Sequence, residues 1–168
     1  REEWKPFPDV RDREAWEALP ADSRKALVER GEKQLGGEWA VLPATLFLEF
    51  AREGNRSRYE RAYNARRTRL RELVVAECAE DRGRFLDEIS NGIWVICEET
   101  FWGVPAHLNL QRERFGLPDV TEPVVDLFAA ETASQLAWTG YLLSERLDKV
   151  SAALRRRIHR EIDRRILT

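Results

Sequence analysis

The chain has 168 residues and a mass of 19.6 kDa, with 43% hydrophobic residues, 35% charged residues and a formal net charge of −2. That length suits one domain able to bury a core, and the composition excludes a disordered chain. The near-neutral balance excludes a global polyelectrolyte mode of nucleic-acid binding, and no run of about 18 apolar residues is present to span a membrane.

In chain order almost everything reads as helix, without strand-like alternation and with one loop of about twenty residues. After an irregular lead (Trp4, Pro6, Phe7, Pro8), Arg11–Leu19 predicts a short helix stopped by Pro20. Asp22 can cap a second helix running to about Leu35 and ended by Gly36–Gly37. A third, roughly Pro43–Glu53, has Pro43 in its first turn and closes at Gly54–Asn55. The fourth, about Ser57–Glu80, is amphipathic, with Tyr59, Tyr63, Leu70, Leu73, Val74 and Cys78 at intervals of three and four and Arg on the other side. The fifth and sixth, Phe85–Thr100 and Pro123–Leu143, are apolar on most sides, which predicts helices surrounded by protein. Thr121 is the expected cap of the sixth. A last helix, about Val150–Leu167, carries a narrow stripe of Leu154, Ile158, Ile162 and Ile166. The fold class is all-α: a two-layer helical array over residues 1–168, the amphipathic fourth and last helices lying outside and backing the buried ones.

Cys78 and Cys97 fall in apolar helical stretches and read as buried thiols, a disulfide being left open by sequence. Two histidines without ligand spacing argue against a metal site, and no cofactor is called for. Catalytic triads, phosphate-binding loops and dinucleotide fingerprints are missing. The chain has no Met and starts at Arg1, the pattern of a processed or excised piece. A periplasmic or secreted location is compatible with that pattern, and the compartment stays open.

Residues 91–109, NGIWVICEETFWGVPAHLN, carry the most chemistry. Glu98 and Glu99 end an apolar helix, where carboxylates face the negative pole of the macrodipole at a cost of a few tenths to about 1 kcal/mol each. Trp102, His107 and Asn109 follow in a Gly- and Pro-containing loop, while Asn91 shares a helix face with Glu98. Such a cluster suits a cleft for something polar and ring-shaped. It can equally find its partners within the protein, Glu98 or Glu99 pairing with an Arg. Trp39, ahead of Pro43, can stack on a sugar ring, although core packing is the better reading. The stretch Arg52–Arg71 holds eight arginines. With Glu53, Glu60 and Glu72 interspersed it reads as a solvated outer face, not as a nucleic-acid surface. The basic run from Arg155 to Arg165 is read the same way.

The succession EWAVLPATLFLEFAREGNRSRYERAY, GRFLDEISNGIWVICEETFWGVPAHLN, EPVVDLFAAETASQLAWTGYLL and RRRIHREIDRRIL resembles the heparinase II/III-like family over roughly residues 38–167. The similarity is to the amino-terminal half of its helical toroid, and EETFWGVPAH is its most specific part. The resemblance implies an incomplete α/α toroid followed by β-sandwich layers. It also implies cleavage of uronic-acid-containing polysaccharides by β-elimination, in which one group neutralises the uronate, a base removes the C5 proton and an acid protonates the leaving oxygen. The family's catalytic Asn and Tyr motifs align beyond Thr168, so no catalytic residue is assigned here and the segment alone is expected to be inactive.

Carried over are substrate contacts only: Trp102 as a stacking platform, Glu98 and Glu99 as acceptors for sugar hydroxyls, and His107 as a further contact; Asn91 and Asn109 join the candidate substrate contacts from their place in the cluster. The implied partners are an acidic polysaccharide and downstream domains of the same polypeptide, with no nucleic acid and no membrane. Two other readings stand beside this one. One is a glycoside hydrolase on the same architecture, pairing Glu98 with Asp126 or Glu131. The other is a non-catalytic glycan-binding or helical interaction module. The functional readings require the acidic-aromatic corner to open onto a water-filled hollow.

Overall fold

A computed structural model describes residues 5–167, and every regular element among them is helical. Trp4, placed by sequence in the irregular lead, lies outside the described residues. The helices are α1 (Arg13–Glu17), α2 (Ala21–Glu32), α3 (Ala44–Glu53), α4 (Ser57–Glu80), α5 (Leu86–Cys97), α6 (Leu127–Leu142) and α7 (Ser144–Ile162). A 3-10 turn spans Pro105–Leu110, and α7 runs on into a π-helical turn over Asp163–Leu167. None of these helices is long and apolar enough to cross a membrane.

Local chemistry sets the ends. The Asp12 carboxylate accepts the Ala15 N–H and starts α1, whereas Asp22 lies inside the first turn of α2, which opens directly behind Pro20. Gly54 closes α3 at φ 70, a conformation that a residue without Cβ adopts freely. α5 ends three residues before Thr100, with Glu98 as its C-cap. The expected cap of α6 is corrected: Asp126, in extended backbone, accepts the Ala129 N–H at 2.7 Å, so the helix opens at Leu127. Thr121 is engaged elsewhere, both its N–H and its hydroxyl donating to Asp119. α7 breaks at Ser151 (φ −167, ψ 123), whose hydroxyl oxygen accepts the Ala153 N–H. The last helix expected from about Val150 is therefore the second half of a kinked element.

The layering differs from the expectation in one respect. α4 is not an outer helix but the central one, packed by α2, α5 and α6 along its length. Leu70, Leu73, Val74 and Cys78 on α4 meet Phe85, Ile89, Ile93 and Ile96 beside or on α5, and α7 closes the far side with Leu147, Leu154 and Ile158. Each of these side chains contributes about 1.5–3 kcal/mol through burial. α2 can lie close to α4 because Gly31 faces Ala76, and a Cβ on Gly31 would meet that of Ala76 at 2.3 Å. α6, expected to be enclosed on most sides, buries one face only and leaves Leu127, Ala130, Glu131, Ser134 and Ala137 exposed. Phe47, Tyr59, Tyr63, Val104 and Leu108 form a second, smaller cluster where α3, α4 and the 3-10 turn meet.

Candidate functional site

The corner that follows α5 is organised by Glu99. Its carboxylate is held by both arms of Arg67 (Nη1–Oε1 2.7 Å, Nη2–Oε2 2.6 Å) and by Arg66 Nη1 at 3.0 Å. Two guanidiniums more than offset the unfavourable end-of-helix position of one carboxylate. Burial works against the charge on Arg67, yet Glu99 outweighs it and holds the guanidinium above its ordinary pKa. Arg67 also lies over the Tyr63 ring, 3.3 Å from its centroid. The Tyr63 hydroxyl is surrounded by the Trp102 carbonyl (2.6 Å), the Phe128 carbonyl (3.0 Å) and Thr132 Oγ1 (2.6 Å), and burial pushes its pKa up to about 12.

Trp102 belongs to the core, not to a sugar-stacking platform. It is 1% exposed, its indole N–H donates to the Ile96 carbonyl at 2.9 Å, and the Arg165 guanidinium lies 4.7 Å from its ring centroid. Its ring borders a small pocket of about 290 Å³, but its burial leaves no face on which a pyranose could rest. Arg165 also donates to the carbonyls of Glu99 and Thr100, and Arg157 donates to that of Cys97. The basic run of α7 thus satisfies the open C-terminal end of α5 instead of forming a purely solvated face. Its own charges converge on buried Glu161: burial raises that carboxyl's pKa, but Arg164 and Arg165 prevail and leave it lowered.

His107 is about one-third exposed and its Nδ1 pairs with Asp126 Oδ2 at 2.7 Å, the same carboxylate that caps α6. The His ring is packed edge-on to Phe128. Gly103 permits this arrangement, since a Cβ there would meet Phe101 at 2.5 Å and Asp126 Oδ2 at 3.1 Å. Asn91, Glu98 and Asn109 are exposed.

One cleft opens at this corner. It measures about 480 Å³ and lies between the segment Val41–Ala44, the stretch Glu98–Phe101 and the loop at Leu117–Pro118. Phe47, Tyr59, Arg66 and Val95 complete its wall. Of the six residues assigned to substrate, Glu98 and Glu99 line this cleft and the other four do not. Glu98 presents its carboxylate to water, and Glu99 forms part of the wall with its charge already matched by arginine. Arg66, Tyr59 and Phe101 are cleft residues that the sequence reading left out. The eight-arginine stretch is partly internal: Arg67 and Arg69 are buried, and Arg66 turns inward to the Ala40 carbonyl and Glu99. The three-and-four spacing from Tyr59 and Tyr63 to Arg66 and Arg67 was the available signal for this.

Trp39 packs, the better of the two readings offered for it: a Cβ on Gly92 would meet its ring at 2.4 Å, and Arg69 lies 4.5 Å from its centroid. Cys78 and Cys97 are free, buried thiols, each pushed up to about 12 by burial. Among the described residues no group of three or more His, Cys, Asp or Glu side chains is placed to hold a metal ion.

The carboxylates that a hydrolytic pair would need are not gathered in the Glu98 cleft. Glu98 lines the 480 Å³ cleft, Glu131 lines a different groove beside α6, and Asp126 is occupied by His107 and the α6 cap. No protein-family model matches the chain, and no curated protein matches its sequence.

Proposed function

We propose that this chain is a glycan-contacting part of an incomplete α/α toroid in a polysaccharide lyase that cleaves uronic-acid-containing chains by β-elimination. The observation that carries this reading is the Glu98 cleft. Its volume falls in the range of small-ligand sites, and it combines apolar and aromatic walls with a few convergent charged groups. The solvent-facing Glu98 carboxylate accepts hydrogen bonds from sugar hydroxyls. Arg66 shares Glu99 with Arg67 and is the cationic group of the cleft lining, the one placed to face a uronate carboxylate. Phe101 and Tyr59 supply apolar surface for the ring.

Elimination needs the uronate charge neutralised, the C5 proton removed and the glycosidic oxygen protonated as its bond to C4 breaks. In this reading the chain binds and orients the glycan, while the groups that move protons lie outside residues 1–168. Glu98 and Glu131 line different hollows and Asp126 is engaged by His107 and the α6 cap, which argues against paired-carboxylate hydrolysis within this segment.

The test is to incubate the natural polypeptide that carries this chain with uronate polysaccharides and follow ultraviolet absorbance. Unsaturated uronate products, with KM raised in Glu98→Gln and Phe101→Ala, support the proposal. Saturated products overturn it in favour of hydrolysis, and tight binding without cleavage overturns it in favour of a non-catalytic module.

A further inference from the structure

A second groove, of about 590 Å³, runs between α4 and α6 and shares no lining residue with the Glu98 cleft. On its α4 side, Asn64, Thr68 and Arg71 follow one another at steps of four and three, and so stand on one helix face. Arg71 is exposed and makes no ion pair with any described residue, unlike Arg66, Arg67 and Arg69 on the same helix. On the α6 side stands Trp138, half-buried and braced by Tyr141 (centroids 5.7 Å apart, planes at 87°) and Phe7 (5.4 Å). Such bracing fixes an aromatic surface before any ligand arrives. Gln135 donates to the Arg67 carbonyl at 2.7 Å, which orients its amide and leaves the side-chain oxygen without a partner among the described residues.

The charged groups choose the ligand class. Arg67 at the groove's inner wall is matched by Glu99. Arg71 has no ion pair among the described residues, and the exposed carboxylate of Glu131 stands on the α6 side of the groove. The Arg71 guanidinium, beside a rigid indole and an oriented amide, fits a sugar that carries a carboxylate.

We infer that the α4–α6 groove is a second glycan site, which takes a uronate residue with its carboxylate on Arg71, its apolar ring face against Trp138 and its hydroxyls on Gln135 and Asn64. The ligand class rests on the reading proposed above, but none of the groups belongs to the Glu98 cleft. A chain of sugars occupying both sites would be gripped at two points, and affinity would rise with its length.

The experiment is calorimetric titration of the protein with uronate oligosaccharides and with the same oligosaccharides reduced at their carboxyl groups. Arg71→Ala removes an exposed side chain with no bond to any described residue, so the variant folds. It is expected to weaken binding of the acidic oligosaccharides by about tenfold, the worth of one charge-assisted contact, with Arg71→Lys recovering part of the loss. Binding of the reduced oligosaccharides should be the same for Arg71→Ala as for the unaltered protein. If Arg71→Ala binds acidic oligosaccharides normally while Glu98→Gln weakens them, the groove is not a glycan site and the cleft reading stands. If the unaltered protein binds no acidic oligosaccharide, both fall together.

Discussion

Arg67 and Glu99, thirty-two residues apart in sequence, form a bidentate ion pair whose side chains are 9% and 3% exposed. It joins the middle of the central helix to the loop that leaves α5, and through Tyr63 it reaches α6. A buried pair adds little over a well-packed apolar pair, but removing one member strands the other's charge away from water. Arg67→Ala is therefore expected to destabilise the fold by about 3–5 kcal/mol. Arg66→Ala should cost clearly less, because Glu99 keeps its two-armed partner. Equilibrium urea denaturation measures both, and equal losses would show that the two arginines are interchangeable. In a double-mutant cycle the combined Arg67→Met and Glu99→Leu variant should lose less than the sum of the single losses.

Trp102 yields the clearest separation between a structural and a binding role. The Trp102→Ala variant is expected to lose about 3–5 kcal/mol, as buried aromatic truncations do. Arg165 would lose the ring it covers at the same time. Trp102→Phe keeps most of the packing and removes only the indole N–H bond to Ile96, for a loss of about 1–2 kcal/mol. A folded Trp102→Ala variant with unchanged thermal stability would return the residue to the list of surface contacts.

Two glycines differ in what a methyl group would meet. At Gly92 an added Cβ falls 2.4 Å from Trp39 Cη2 and 2.8 Å from Cζ2, inside the contact between α5 and the segment before α3. Gly92→Ala should cost about 1–3 kcal/mol by overpacking, despite the better helix propensity of alanine. At Gly36 nothing lies within 4 Å, and the only obstacle is φ +69. Gly36→Ala should then cost about 1 kcal/mol, from the left-handed conformation alone. Chemical denaturation of the two variants checks the order, and a harmless Gly92→Ala would mean that Trp39 can withdraw from α5.

Much of the fold was legible because helix stops are local events: Gly54 at α3, the stop before Pro20, and the apolar spacing of α5 depend on a few neighbouring residues. Partner choice is not local. The three-and-four spacing can turn Arg67 inward, but it does not name Glu99 as the group that Arg67 meets, while Arg71 on the same helix is exposed. α4 looked like an outer helix because its arginines were counted as surface, whereas buried Glu99 and half-buried Glu88 call three of them inward or to the rim. The acidic-aromatic corner was correctly singled out as chemically unusual, yet half of its oddity is resolved internally. Glu99 and Trp102 answer to Arg66, Arg67 and Arg165, and Glu98 is the carboxylate left facing the cleft.

The end of α4 holds two carboxyls whose titrations oppose one another. Asp81 occupies the left-handed C-cap at φ 53 and binds Arg146 on α7 at 2.7 and 2.8 Å, which lowers its pKa below the ordinary 3.8. Its stabilising contribution is complete above 3.8 and is lost as pH falls through the lowered folded value. Glu77 is fully buried, and burial raises its pKa above the ordinary 4.5 even though the N–H groups of Gly83 and Phe85 donate to it. Its contribution is complete below 4.5 and is lost as pH rises through the raised folded value. Asp81→Asn keeps a residue that tolerates the left-handed cap, so it should cost about 1–2 kcal/mol near neutrality and progressively less below pH 3.8. Glu77→Gln should behave in the opposite sense, losing ground to the unaltered protein at low pH and recovering as pH climbs above 4.5. Urea midpoints collected across the acid range read both differences. Parallel curves for Glu77→Gln and the unaltered protein would mean that the Gly83 and Phe85 N–H groups cancel the burial of its charge.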